Sequence, residues 1–226
     1  MTSRLLRISP LLLLASLAVA MFYTTRAPAA PSPTIPSPTM DAPLASAPGK
    51  QVIVLAGGCF WGVQAVYLHT KGVTRAVAGY SGGTAETANY ETVSGHGTGH
   101  AESVEVTFDP SKISVGQLLK IFFAVATNPT EKDRQGPDVG PQYRSVIFFS
   151  TPEQERVAKA YIAQLDAAKV YPAPIVTEVV PLKAFYAAEG YHQNYLASHM
   201  DQPYIVINDL PKLAALKQQF PQYYRD

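Results

Sequence analysis

The stretch VTRAVAGYSGGTAETANYETVSGHGTGHAESVEVTF, Val73–Phe108, joins one strand to the next with no helical pattern between them. VTRAVAGY reads as a strand, and SVEVTF (Ser103–Phe108) alternates as a half-buried strand should. On either side of this stretch the pattern changes to alternating strands and helices. QVIVLA, from Gln51, is a strand; Val63, Val66 and Tyr67 then recur at helical spacing until Gly72 stops them. SVGQLLKIFFAVAT predicts a helix with Ser114 as N-cap, and RSVIFF a strand. Thr151-Pro152-Glu153-Gln154 is a capping box with proline at N1, opening a helix to about Lys169. IVTEVV is a fifth strand, and a last helix follows Pro211. Alternation with one direct strand-to-strand link predicts an α/β fold: a single domain with a mixed sheet, helices packed on it and a ferredoxin-like core. No internal repeat is present.

The chain has 226 residues, 47% of them apolar, which suits one well-filled domain of the usual ~100–200 residues. Its formal charge is +1 and neither sign forms runs, so neither a nucleic-acid surface nor a polybasic membrane patch is expected. The first fifty residues stand apart. Arg4 and Arg7 precede an apolar stretch centred on Leu11–Val19, and Ala18-Val19-Ala20 offers small residues at a cleavage position. Residues 1–23 are therefore expected to be a signal peptide, or an uncleaved anchor tethering the protein through residues 5–23. The apolar run falls short of the ~20 residues of a spanning helix. The expected location is periplasmic or otherwise extracytoplasmic. Residues 24–49, rich in Pro, Ala, Ser and Thr, predict a disordered linker, and residues 50–226 the folded domain.

The only cysteine lies in AGGCFWG, Ala56–Gly62, where two glycines precede it and two large aromatics follow. Cys59 sits at a strand-to-helix turn, where unpaired amides and the positive end of the helix dipole lower a thiol's pKa. A lone cysteine is commonly a small buried hydrophobe. The flanking glycines favour a reactive thiol, because they allow backbone or substrate to approach closely. The glycine-rich loop after Tyr80 is long for a compact domain and reads as a working loop. His96 and His100 with Glu102 invite a metal reading, but glycines break the segment, so loop-ordering hydrogen bonds are expected and no metal. Glu102, at a strand start, is equally compatible with a solvated charge and with a functional acid.

GGCFWG, the loop ending in GHAESVEV, GPDVGPQYRS (Gly136–Ser145), EGYHQNY (Glu189–Tyr195) and VINDL before the last helix together resemble the peptide methionine sulfoxide reductase A family. The resemblance runs in order from about Gln51 to the C-terminus. It implies an α/β sandwich with a ferredoxin-like core that reduces the S epimer of methionine sulfoxide, free or in peptides. By the same resemblance Cys59 is the nucleophile and Phe60 and Trp61 form the pocket for the substrate methyl group. Glu102 protonates the sulfoxide oxygen, while Tyr90, Asp138 and Tyr143 bind or orient around it. His192 is read as structural support.

A thiolate attacks a sulfoxide sulfur only if the developing charge on oxygen is stabilised or protonated, which tyrosine hydroxyls and a carboxylic acid can do. A glutamate holds a proton at neutral pH if desolvation beside Phe60 and Trp61 raises its pKa. The product is a Cys59 sulfenic acid. Many relatives carry resolving cysteines, but this chain ends in FPQYYRD and has Ser94 where some relatives have another cysteine. Regeneration therefore requires an external thiol or a thioredoxin-like dithiol protein, with no bound cofactor. The chain is expected to be a monomer whose role is repair of oxidised proteins. Two other readings remain: a hydrolase using Cys59 with His100 or His192, and a peptide-binding module in which Cys59 is inert.

Overall fold

The structure, a computed structural model, describes residues 35–226. The predicted export segment and the first part of the predicted linker lie outside the described residues. Six strands form one sheet: β1 (Gln51–Gly57), β2 (Val73–Ser81), β3 (Ala101–Phe108), β6 (Ser145–Phe149), β7 (Glu178–Pro181) and β8 (Phe185–Ala187). Their order is β7-β6-β1-β3-β2-β8. Only β6 and β7 pair in parallel; the other neighbours are antiparallel. β4 (Arg134–Gln135) and β5 (Asp138–Val139) make a separate two-stranded ribbon.

The central four strands reproduce the split βαβ arrangement of a ferredoxin-like core. β1 and β2 are joined through helix α1 (Phe60–Leu68), with β3 inserted between them and antiparallel to both. β3 returns through α3 (Val115–Ile121) to β6, on the far side of β1. Register then gathers particular residues at one sheet edge. Tyr80 is opposite Glu102, and Gly57, where β1 ends, is opposite Ser145, where β6 begins.

Side-chain alternation along β1 divides the core into two faces. Ile53 and Leu55 join Val104, Val106, Val63, Val66, Leu118 and Phe122 under the helices, while Val54 and Ala56 join Val146 and Phe148 on the other face. α1 is buried nearly all round, and full burial of each large apolar side chain contributes roughly 1.5–3 kcal/mol. Ser114 caps α3 in a reciprocal box with Gln117, as expected. The helix α4 (Pro152–Ala167) differs in one detail. Thr151 accepts from the Gln154 amide, but the Gln154 carboxamide oxygen accepts from Ser150 N and its nitrogen donates to Val52 O, tying the helix start to β1.

Two features go beyond the sequence reading. Of the predicted linker, residues 35–49 are hydrogen-bonded to the folded domain. Tyr161 Oη donates to Pro36 O at 2.6 Å, and Gly116 N donates to Asp41 Oδ1 at 2.9 Å. Ser114 Oγ also donates to Asp41, and Gly49 N donates to Asp109 Oδ1 at 3.1 Å. Composition shows that such a segment cannot bury a core of its own; it does not show that its carbonyls and Asp41 serve a neighbouring core. The glycine-rich loop also contains regular structure: a short helix, α2 (Tyr90–Ser94), capped by Asn89 accepting from Thr92 N. His100 is buried, with Nδ1 accepting from Gly83 N and Nε2 donating to Thr84 O, which fixes one neutral tautomer.

A protein lacking residues 1–49 should unfold several degrees below one lacking residues 1–34. Loss of the Asp41 contacts to α3 alone costs about 0.5–2 kcal/mol, and each kcal/mol moves the midpoint by ~2–4 °C at this size. Thermal unfolding of the two truncations measures it; equal midpoints would return the domain boundary to Lys50.

Candidate active site

Gly58 turns the chain at φ +97° between β1 and α1, and a side chain there would run into Gln135. This turn makes Cys59 the N-cap of α1 and Phe60 its first residue. The Phe60 amide, left without a partner inside the helix, donates to Glu102 Oε2 at 3.0 Å. Glu102 reaches it from the start of β3, and both Glu102 and Cys59 are buried.

Burial is the largest influence on each. It raises the Glu102 carboxyl to about 8; the Phe60 amide opposes the shift and the charges of Asp138 and Asp209 add to it. The Cys59 thiol is pushed well above its ordinary value by burial, then by Glu102 and Asp209, with the Trp61 amide and Lys212 acting the other way. The expected lowering by the helix N-terminus is therefore outweighed. The helix end acts locally, whereas the opposing burial comes from the packed fold and the opposing acids arrive from residues 102 and 209.

The predicted neighbours assemble around this pair. Phe60 packs its ring against Tyr80 at 5.8 Å and against His192 at 5.0 Å. Trp61 stacks on Tyr195, the first residue of α5 (Tyr195–Ser198), at 3.8 Å, and its Nε1 donates to His192 Nδ1 at 3.1 Å. Tyr90, at the start of α2, and Tyr143 both have hydroxyls held above their ordinary pKa by burial, and both sense the charges of Cys59, Glu102 and Asp138. Asp138, on β5, is raised by burial while accepting from Tyr204 Oη. The site is thus a thiol, a carboxyl, two tyrosine hydroxyls and an aspartate against an aromatic wall. Among the described residues, no three His, Cys, Asp or Glu side chains cluster to hold a metal ion.

Neither histidine of the hydrolase reading serves the thiol. His100 is committed to the loop backbone. His192 spends Nδ1 on Trp61, and burial lowers its pKa despite nearby Glu189, so it stays neutral.

A sequence profile described as peptide methionine sulfoxide reductase matches residues 51–224. The chain belongs to the peptide methionine sulfoxide reductase family. It is 57% identical over 179 residues to "Peptide methionine sulfoxide reductase MsrA 2" of Mesorhizobium japonicum, covering 79% of this chain and 92% of that one. Identity to the protein of the same name in Synechocystis is 51%, over 76% of this chain and 80% of that one. Among solved structures, reduced Mxr1 of Saccharomyces cerevisiae matches with a TM-score of 0.61 at 31% identity, over 68% of this chain and 87% of that one. Methionine sulfoxide reductase A of Corynebacterium diphtheriae matches with 0.59 at 33%, over 69% and 77%. A member of this family is an oxidoreductase acting on methionine sulfoxide.

Sequence reasoning gave no role to three residues of this reductase's site. Tyr204 bonds Asp138 and lies edge-on to Trp61 at 6.0 Å; Asp209 is fully buried; and Lys212 Nζ donates to Asp209 Oδ1 at 3.1 Å. VINDL stood out as a motif, but nothing in its spacing says that it packs under α1. Gly62 is where it does so: a Cβ there would sit 2.1 Å from Asp209 Oδ1. Gly→Ala in a helix ordinarily stabilises by about 0.5–1 kcal/mol. Gly62→Ala should instead destabilise by about 1–3 kcal/mol through overpacking, read as a lower thermal midpoint. A raised midpoint would contradict the packing.

Proposed function

We propose that this reductase acts on the S epimer of methionine sulfoxide, in proteins and free, with Cys59 as nucleophile and Glu102 as the group that delivers a proton to the oxygen. The observation that carries this reading is the buried carboxyl at the N-terminus of the cysteine's own helix, bonded to Phe60 N and raised to about 8. Phe60 and Trp61 receive the methyl group against apolar surface. Tyr90 and Tyr143 donate to the sulfoxide oxygen, and Asp138, held by Tyr204, orients that polar side.

The bookkeeping of protons constrains the step. Thiol plus sulfoxide gives sulfenic acid plus thioether with no net proton change, so the pair Cys59–Glu102 works with one proton between them. In the reactive arrangement the proton is on Glu102 and the sulfur is a thiolate. The sulfur lone pair attacks the sulfoxide sulfur while Glu102 protonates the oxygen. As the intermediate collapses, the hydroxyl passes to the Cys59 sulfur, the substrate S–O bond and the S–S bond formed in the attack both break, methionine leaves and Cys59 is left as the sulfenic acid. Two electrons pass from the cysteine sulfur to the methionine sulfur. An external dithiol then attacks the sulfenic acid, releasing water and, after its second thiol attacks, a disulfide on the reductant. The single cysteine supports an external donor, a thioredoxin-like protein being the expected class. Export is part of the proposal, supported by Arg4, Arg7 and the apolar run that follows. Repair of proteins oxidised outside the cytoplasm is the corresponding role.

A turnover assay with each epimer and a small dithiol tests the substrate assignment; consumption of the R epimer alone would overturn it. Cys59→Ser should abolish reduction while the protein stays folded, since serine gives no thiolate-like nucleophile near neutral pH.

The single-turnover rate of the native protein should be bell-shaped in pH. Below about 8 both groups are protonated and the rate falls; at high pH, past the raised thiol, both are ionised and it falls again. Glu102→Gln should lose ~10²–10⁴-fold and rise monotonically with pH, because only the thiol then titrates. An unchanged rate and profile would remove Glu102 from the chemistry.

A further inference from the structure

Asp209 stands at the N-cap of α6 (Leu210–Gln219), the position where aspartate is among the best capping residues, yet its side chain makes no capping bond. Its carboxylate turns away from its own helix and lies against α1. Oδ1 accepts from Lys212 Nζ at 3.1 Å; Oδ2 is buried and has no partner. Both ends of the ion pair press on the site where Gly62 lacks a Cβ, Oδ1 at 2.1 Å and Lys212 Nζ at 2.8 Å from that point. Gly62 follows Cys59 by three residues at the start of the same helix. The ammonium therefore lies over the first turn of the helix that Cys59 caps.

We propose that the Asp209–Lys212 pair is a positioning device for the reaction: Lys212 supplies the positive charge that favours the Cys59 thiolate, and Asp209 holds it there. Of the charged groups that act on the thiol, Glu102 on β3 and Asp209 itself favour its neutral form. Tyr90 from α2, Tyr143 from the turn before β6 and Tyr204 from the segment before α6 hold their protons beyond the ordinary range and bring no charge, and Asp138 on β5 acts on Glu102. Among the described residues, Lys212 is the side chain that acts on Cys59 in the opposite sense. Lys212 is partly buried on the inward face of its helix, and the fully buried carboxylate holds its ammonium over Gly62. The same carboxylate, left half-satisfied, disfavours a second negative charge and so keeps the proton on Glu102 in the reactive arrangement. This inference rests on Cys59 being a titrating thiol at this site and does not depend on the epimer or the reductant.

Because Cys59 is the only cysteine, its titration is read directly as the pH dependence of iodoacetamide alkylation of the full-length protein, with no substrate present. Lys212→Met should raise the alkylation midpoint by about one pH unit, a tenfold loss of thiolate fraction. Asp209→Asn keeps the shape and the acceptor for Lys212 and should move the midpoint down by about as much. Lys212→Arg should hold it near the native value. Opposite signs in the two partners are the signature, since a structural role would move both the same way. Midpoints that shift together, or that do not move in either variant, would overturn the proposal. If Lys212→Met fails to fold, the downward shift in Asp209→Asn with an unmoved Lys212→Arg still carries it, and an upward shift in Asp209→Asn refutes it. The activity of Cys59→Ser speaks to the nucleophile assignment separately.

Discussion

One hydrogen bond, from the Phe60 amide to Glu102, joins the strand-to-helix turn to the middle of the sheet. The turn alone would give a cysteine at a helix N-terminus. The strand start alone would give a solvated glutamate. The antiparallel pairing of β1 with β3 brings the two to the same edge, and the unfilled amide of the first helical turn holds the carboxylate beneath the thiol. A carboxylate accepting from a backbone amide is normally lowered. Here burial is the stronger influence, and the acid retains its proton into the physiological range.

The surrounding residues keep that balance in place. Glu102, Asp138 and Asp209 are all raised by burial, and Glu102 senses the charges of the other two. Acids placed so cost stability, because several carboxylates cannot all ionise in a dry site. They are tolerated because Tyr204 donates to Asp138, Lys212 to Asp209 and Phe60 N to Glu102. The aromatic wall of Phe60, Trp61, Tyr195 and His192 excludes water and so sets the strength of these effects.

Local signals carried most of the fold. The apolar periodicities, Ser114, the Thr151 cap and the direct link through Val73–Phe108 led to the ferredoxin-like core, because each is decided within a few residues. β8 was missed: three residues, Phe185–Ala187, are too short for alternation to register, and they are strand only because Tyr80 offers a free edge. The contacts of residues 35–49 to the domain were not legible, because composition describes what a segment buries for itself. The site was legible wherever neighbouring residues specify it, as at Cys59, Phe60 and Trp61. The sign of the thiol shift was not, since it is set first by burial in the assembled fold and then by charges brought from residues 102 and 209. Asp209 and Lys212 illustrate the same limit: their relation to Gly62 exists only after α6 has packed beneath α1.

In the proposed reaction oxygen passes from substrate to the single thiol, with no other cysteine to relieve it. Mixing the reduced protein with excess methionine S-sulfoxide and no reductant, then counting methionine released and weighing the Cys59 peptide, tests this most directly. The expected result is about one methionine per chain and one added oxygen on Cys59, trappable as a sulfenic acid. Two or more methionines per chain, or release of methionine with Cys59 unmodified, would contradict it.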